Sequence, residues 1–202
     1  MAVAPEEEAS GREAAEPLLA LIADLSPELR RRALTHSSWT ERRVDAWGRL
    51  AFLGDTVLGL AVADVLFSRF GRSDIGRLTK IHGQVVSGRA CAEIAFLLGV
   101  PGLLEAERPA GVDGGITVDE LVASERAMAS VVEALIGACY LELGLEATAA
   151  AVVRAFEPQI DLASGTLIDF KSALQERLAR DGRSVSYAVV EESGPPHDRH
   201  FR

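Results

Sequence analysis

Apolar residues recur at three- and four-residue steps along most of the chain, the period of a helix with one buried face. Leu18, Leu21, Ile22 and Leu25 form the first such stripe, with Pro17 at its expected start. Ser26-Pro27 joins an N-cap residue to a proline suited to the first helical position, so a new helix is expected there. Leu50, Leu53, Val57, Leu60, Ala61, Val65 and Leu66 continue as one long helix with a wide apolar face. Gly71 should end it, and Ser73 should cap the next helix, whose apolar face runs from Leu78 to Val86. A further helix spans Ala90 to Leu98, closed by Gly99 and Pro101. The Pro- and Gly-containing stretch 105–118 reads as a loop. Helices resume over Ser124 to Leu143 and over Glu146 to Phe156, while residues 1–16 read as a disordered acidic tail.

The period changes after residue 168. Asp169 to Arg180 is amphipathic, Ser186 to Glu192 alternates as a strand does, Ser193-Gly194-Pro195-Pro196 reads as a turn, and His200-Phe201-Arg202 begins a second strand. One helix and one and a half strands bury too little to form a core alone. The expected organisation is an all-α body over 17–162, followed by a partial α/β unit over 168–202.

Composition narrows the class. With 202 residues, 48% hydrophobic and 25% charged, the chain has a globular balance, which excludes disorder throughout. The apolar run from Val57 to Phe67 is interrupted by Asp64 and is short for a bilayer span. The acidic start carries no basic-then-apolar leader, and Cys91 and Cys139 read as reduced core thiols, so a cytoplasmic protein with no membrane partner is expected. The net charge of −9 argues against a generic nucleic-acid binder. The distribution is uneven, however: residues 26–90 carry eleven Arg or Lys against six acids, a local excess able to hold a polyanion.

Two acids stand inside apolar helical runs, Asp55 in the 49–58 stretch and Glu133 in the 131–138 stretch. A buried carboxylate is costly unless it is paired, hydrogen-bonded or bound to a cation. Two readings follow: an inward-facing carboxylate site for a hard metal such as Mg²⁺, or acids that satisfy nearby backbone or a buried Arg.

Four ordered segments carry a family resemblance. Leu34-Thr35-His36-Ser37-Ser38, Arg49 to Leu58, and Val132-Glu133-Ala134-Leu135-Ile136-Gly137-Ala138 resemble the catalytic domain of ribonuclease III. Phe170 to Glu176 and Val189 to His197 are similar to the opening of that family's double-stranded-RNA-binding domain. The resemblance implies an all-α, ribonuclease III-type helical endonuclease domain followed by the first half (helix and β-hairpin) of an α-β-β-β-α RNA-binding domain. It also implies a dimer that acts on double-stranded RNA with Mg²⁺ in RNA processing, with Asp55 and Glu133 as catalytic and metal-binding acids. Gln175, Glu176 and His197 match the RNA-contacting positions of the second domain. His36 matches a structural or capping position.

The departures are specific. Where the family signature reads N-E-R-L-E-F-L-G-D, this chain has Trp47-Gly48-Arg49-Leu50-Ala51-Phe52-Leu53-Gly54-Asp55, and where it reads A-D-x-x-E-A, the chain has Ala129-Ser130-Val131-Val132-Glu133-Ala134. Family acids are thus absent at Gly48, Ala51 and Ser130. Two carboxylates leave a divalent cation held largely by water, so a weakened or lost Mg²⁺ site and impaired cleavage are expected. Glu41, Asp45 and Glu125 are other acids near the motifs, none at a spacing that replaces the missing ones. Two further readings stay open: a working Mg²⁺-dependent endoribonuclease, and a structural, ribosome-associated dimer. The partner is a second copy or another ribonuclease III subunit.

Overall fold

A computed structural model describes residues 5–109, 115–166, 178, 182–186, 192–193 and 200–201. The chain divides into two compact units, Met1–Leu167 and Ile168–Arg202. Among the described residues the first unit is all-α: α1 (Pro5–Ala23), α2 (Pro27–Leu34), α3 (Gly48–Arg69), α4 (Ile75–Val85), α5 (Gly88–Leu97), α6 (Val100–Glu107), α7 (Val118–Val122), α8 (Glu125–Ala155) and α9 (Glu157–Thr166). In the second unit, β1 (Glu192–Ser193) pairs antiparallel with β2 (His200–Phe201), with Glu192 opposite Phe201 and Ser193 opposite His200. Ser186 lies outside a strand. The expected helix over 169–180 falls almost entirely outside the described residues.

α3 and α8 are the central pair, with α5 and α1 packed on α8 and α4 held between α3 and α9. Both central helices are long and apolar enough to cross a bilayer by length and composition, yet here they supply much of one buried core, including Leu58, Val62, Leu66, Val131, Val132, Leu135 and Ile136. α8 matches the two expected helices joined end to end. Gly144, with φ 82° and ψ 174°, breaks the helical geometry between Leu143 and Leu145, where only glycine adopts such a conformation cheaply.

The expected tail over 1–16 is corrected over its described part, residues 5–16. α1 begins at Pro5 and runs through Pro17. Ala14 and Ala15 are buried, extending the Leu18–Ile22 stripe upstream, and Gly11 lies against Leu97. Alanine carries little apolar signal, and a proline inside a helix removes one backbone donor without forbidding the fold when packing supports it. Two cap expectations also shift. Asp74, not Ser73, caps α4 by accepting from Arg77 N, and Pro101 sits in the first turn of α6 after Gly99 at φ 67°. Within the expected 105–118 loop, Thr117 and Glu120 form a capping box that starts α7.

Charged pairs fasten the periphery. Arg69 at the end of α3 bridges Glu157 and Asp161 of α9, and Arg77 donates to Ser164 O while lying 5.7 Å over the Phe70 ring. Glu142 of α8 accepts from both the backbone N–H and the hydroxyl of Ser26, at 2.9 Å each, and so covers the start of α2.

Candidate active site

The site begins with a helix crossing. Gly54 of α3 and Gly137 of α8 let two backbones touch: a Cβ on Gly54 would overlap the Glu133 carbonyl oxygen and come within 2.7 Å of Gly137 N. A Cβ on Gly137 would overlap the Leu50 carbonyl oxygen and lie 3.1 Å from Gly54 N. Only glycine permits this approach. The crossing places the following residue, Asp55, beside Glu133. Asp55 is exposed and Glu133 half-buried.

Burial first, and the Asp55 charge second, push the Glu133 carboxyl up to about 7. Behind the two acids stands Cys91 of α5, fully buried and close enough to feel both carboxylates. Desolvation and those charges push its thiol up to about 12, so it is a core thiol and no nucleophile at neutral pH. Cys139 is likewise free and buried, pushed up to about 12 by burial.

Ala51 stands one turn before Asp55 and is buried; Ser130 is half-buried, three residues before Glu133 on α8. Gly48 is exposed, with open space where a side chain would go. The other nearby acids are elsewhere. Asp45 is held by Arg42 through bonds of 2.7 and 2.8 Å, which keep its carboxyl below the usual range. Glu125 points towards Gly88 at the start of α5, and Glu41 is exposed. Among the described residues, no group of three or more His, Cys, Asp and Glu side chains is arranged to hold a metal ion. A cation held by Asp55 and Glu133 would take its remaining oxygen ligands from water or a bound phosphate.

His36 is structural. It caps a 3-10 turn over Ser37–Trp39, its Nδ1 accepting from Ser38 N–H at 3.1 Å and meeting Ser38 Oγ at 2.8 Å. Ser38 Oγ in turn accepts from Ile116 N, while Trp39 Nε1 donates to Ile116 O, which staples the 115–117 strand of chain to the His36 turn. Burial holds the His36 ring below its ordinary value, in keeping with a neutral acceptor. Gln175, Glu176 and His197 lie outside the described residues. The crossing glycines were missed by sequence reasoning. Their signal was a glycine inside each apolar motif, one residue before Asp55 and four after Glu133.

A pH dependence follows. The folded Glu133 carboxyl, near 7, holds a proton that the unfolded chain releases at about its ordinary value of 4.5. Stability from this group is complete below that lower value, falls as pH rises through the interval, and is flat above it. Glu133→Gln, which keeps the neutral form at all pH values, should therefore melt higher than the parent at about pH 8, with the gap closing at about pH 4.5. After allowance for solvent screening the gap at high pH should be about 1–2 kcal/mol. Thermal melts at both pH values read it, and an equal gap at both would contradict it.

Comparison with known proteins shows the family. The family model described as Ribonuclease-III-like matches residues 26–160. The chain is 42% identical over 180 residues to Ribonuclease 3 of Syntrophomonas wolfei, covering 87% of this chain and 75% of that one. It is 38% identical over 183 residues to Ribonuclease 3 of Thermobifida fusca, covering 89% and 74%. A solved structure of the nuclease domain of ribonuclease III from Campylobacter jejuni, described for flexibility in a region involved in dimer formation, is similar with a TM-score of 0.57 at 28% identity, over 71% of this chain and 96% of that one. Matched by the family model over most of its length, and by full-length relatives over three quarters of theirs, this chain belongs to the ribonuclease III family.

Proposed function

We propose that this chain binds double-stranded RNA as a dimer and cleaves it poorly or not at all, its Mg²⁺ site weakened or lost, in an RNA-processing role in the cytoplasm. The carrying observation is the acid complement of the α3–α8 crossing: Asp55 and Glu133 meet there, while Ala51 and Ser130 occupy the neighbouring positions. With two carboxylates a divalent cation is held largely by water, which fixes its position less firmly, and a nucleophile misplaced by about 1 Å loses on the order of a hundredfold in rate.

The dimer reading rests on α3. Phe52 is 79% exposed, Phe67 74% and Leu60 53%, all on one stripe of a helix whose other side is in the core. A cavity of about 360 Å³ opens at the far end of that stripe, lined by Ala63, Leu66, Phe67, Ile75, Leu78, Thr79 and His82. Such a stripe is self-complementary. A two-fold axis near Gly59 and Leu60 lays two copies of α3 antiparallel and carries Phe52 of each towards the cavity of the other. The same operation leaves both Asp55 side chains on one side of the dimer. The partner is a second copy or another ribonuclease III subunit, which offers the same seam.

RNA affinity is assigned to the basic excess over 26–90, in which Arg31, Arg43 and Arg49 are exposed. Phosphate neutralisation releases counterions, so affinity should fall steeply with salt, whereas the apolar seam should hold. Light scattering and duplex gel shifts across a salt series test both parts. A dimer that persists at high salt while duplex binding is lost is expected. A monomer at all salt concentrations contradicts the seam, and a dimer without duplex affinity at low salt favours a purely structural role.

A further inference from the structure

A second cavity, of about 250 Å³, lies between the end of α4, the start of α5 and α9. Its walls include the small side chains of Ala90 and Ala163, and two primary amides, Gln84 and Gln159, line it from different helices. Gln84 is exposed. Gln159 is half-buried, and its Oε1 is shut from water with no hydrogen-bond partner among the described residues. Buried acceptors are normally paired, so this atom marks a place where a donor is missing. The last torsion of a glutamine is soft, so the amide can turn its acceptor and its donor towards whatever fills the cavity.

The rest of the lining narrows the occupant. Ser87 is already engaged: its hydroxyl donates to Gln84 O at 2.8 Å and accepts from Ala90 N at 3.2 Å. Arg89 and Glu93 are exposed and bonded to each other at 3.1 Å. What remains is two flat groups, each with an acceptor beside a donor, next to alanine walls. That pattern matches the edge of a nucleobase, which glutamine reads through paired hydrogen bonds, as it reads adenine through N6 and N7. The volume lies below the roughly 300–1,000 Å³ that takes a drug-sized molecule and suits a single ring system. The cavity also stands beside the candidate active site. Cys91, next to Ala90 on α5, lies behind Asp55 and Glu133, and Gly88 lies against Ala129, one turn before Glu133 on α8. In an RNA duplex the pairing edges are taken and the major groove is too deep and narrow for side chains to read, so the base that fits is an unpaired one, splayed out of the stack.

We propose that the cavity between α4, α5 and α9 holds one unpaired base of a bound RNA, and so gives this chain a preference for duplexes interrupted by a bulged nucleotide over perfect ones. The inference rests on the RNA binding argued above and adds which RNA is held best. Gln159 and Gln84 read the base edge, and Arg89, once drawn from Glu93, meets the phosphate of the same nucleotide. The preference requires no cleavage, because none of these residues belongs to the carboxylate pair.

Equilibrium binding of the full chain to three RNAs at low and moderate salt tests this: a perfect duplex, the same duplex with one unpaired adenosine, and the same with an abasic residue in place of that adenosine. The abasic RNA keeps the interruption of the backbone but offers no base edge. The parent should hold the adenosine bulge about tenfold more tightly than either of the others, within the range of one paired base contact. Gln159→Leu, which removes the amide and its orphaned oxygen together, should bind all three alike. Gln84→Ala, at an exposed position where folding is not at stake, should lose most of the preference, and so covers a Gln159 variant that fails to fold. Equal binding of the three RNAs by the parent overturns the proposal while leaving the RNA reading intact. A preference that the abasic RNA shares traces to the interrupted backbone and also overturns it, as does one that survives in both variants. A parent that binds none of the three at low salt overturns the RNA binding itself.

Discussion

Gly54→Ala is expected to cost about 3 kcal/mol or more and to lower the melting temperature by roughly 10 °C, although it adds one methyl group and improves helix propensity. The methyl would occupy the space of the Glu133 carbonyl oxygen, a backbone atom that has no rotamer by which to give way. α3 and α8 must then move apart along the contact that organises the core. Gly137→Ala should be similarly damaging, since its methyl meets the Leu50 carbonyl. Gly48→Ala supplies the control on the same helix: nothing lies within 4 Å of the added atom, so stability should stay level or rise by several tenths of a kcal/mol. Thermal melts of the three variants decide this. A Gly54→Ala protein as stable as the parent would show that the crossing is not as close as described.

The acid complement yields the second large effect. Gly48→Glu, Ala51→Glu and Ser130→Asp together, with Asp55 and Glu133 kept, should restore Mg²⁺-dependent cleavage of duplex RNA by on the order of a hundredfold or more over the parent. Position 48 is open, so its new side chain meets no obstacle. Position 51 is buried one turn from Asp55, so a carboxylate there is destabilising without a counter-charge. The metal-free triple variant should accordingly melt below the parent, and added Mg²⁺ should raise its melting temperature clearly more than the parent's, because a ligand stabilises the state that binds it. If Mg²⁺ stabilises neither protein and neither cuts, the site differs by more than these three residues.

The helical body was largely legible because its apolar stripes are long and strictly periodic. The α3 stripe from Leu50 to Leu66 could be read directly, and Gly144 falls in the gap left between two expected helices. α1 was misjudged because its upstream core positions are Ala14 and Ala15, which carry weak apolar signal, and because Pro17 resembles a start. α7 was hidden in a Pro- and Gly-containing stretch, though Thr117 and Glu120 carried a capping-box pattern. Asp55 and Glu133 stood out as lone acids in apolar helices. Their adjacency was not readable locally: it depends on Gly54 and Gly137 meeting across 83 positions of chain. The cavity beside Phe67 was invisible for the same reason, since α3 and α4 build it jointly.

The central claim, that two carboxylates do not sustain hydrolysis, is tested most directly by single-turnover cleavage of a perfect RNA duplex by the unmodified chain in Mg²⁺, beside Asp55→Asn. Parent and variant are both expected to cleave at a rate near that seen without protein. Cleavage by the parent that requires Mg²⁺, disappears with Asp55→Asn and matches the rate of the Gly48→Glu, Ala51→Glu, Ser130→Asp variant would contradict the account.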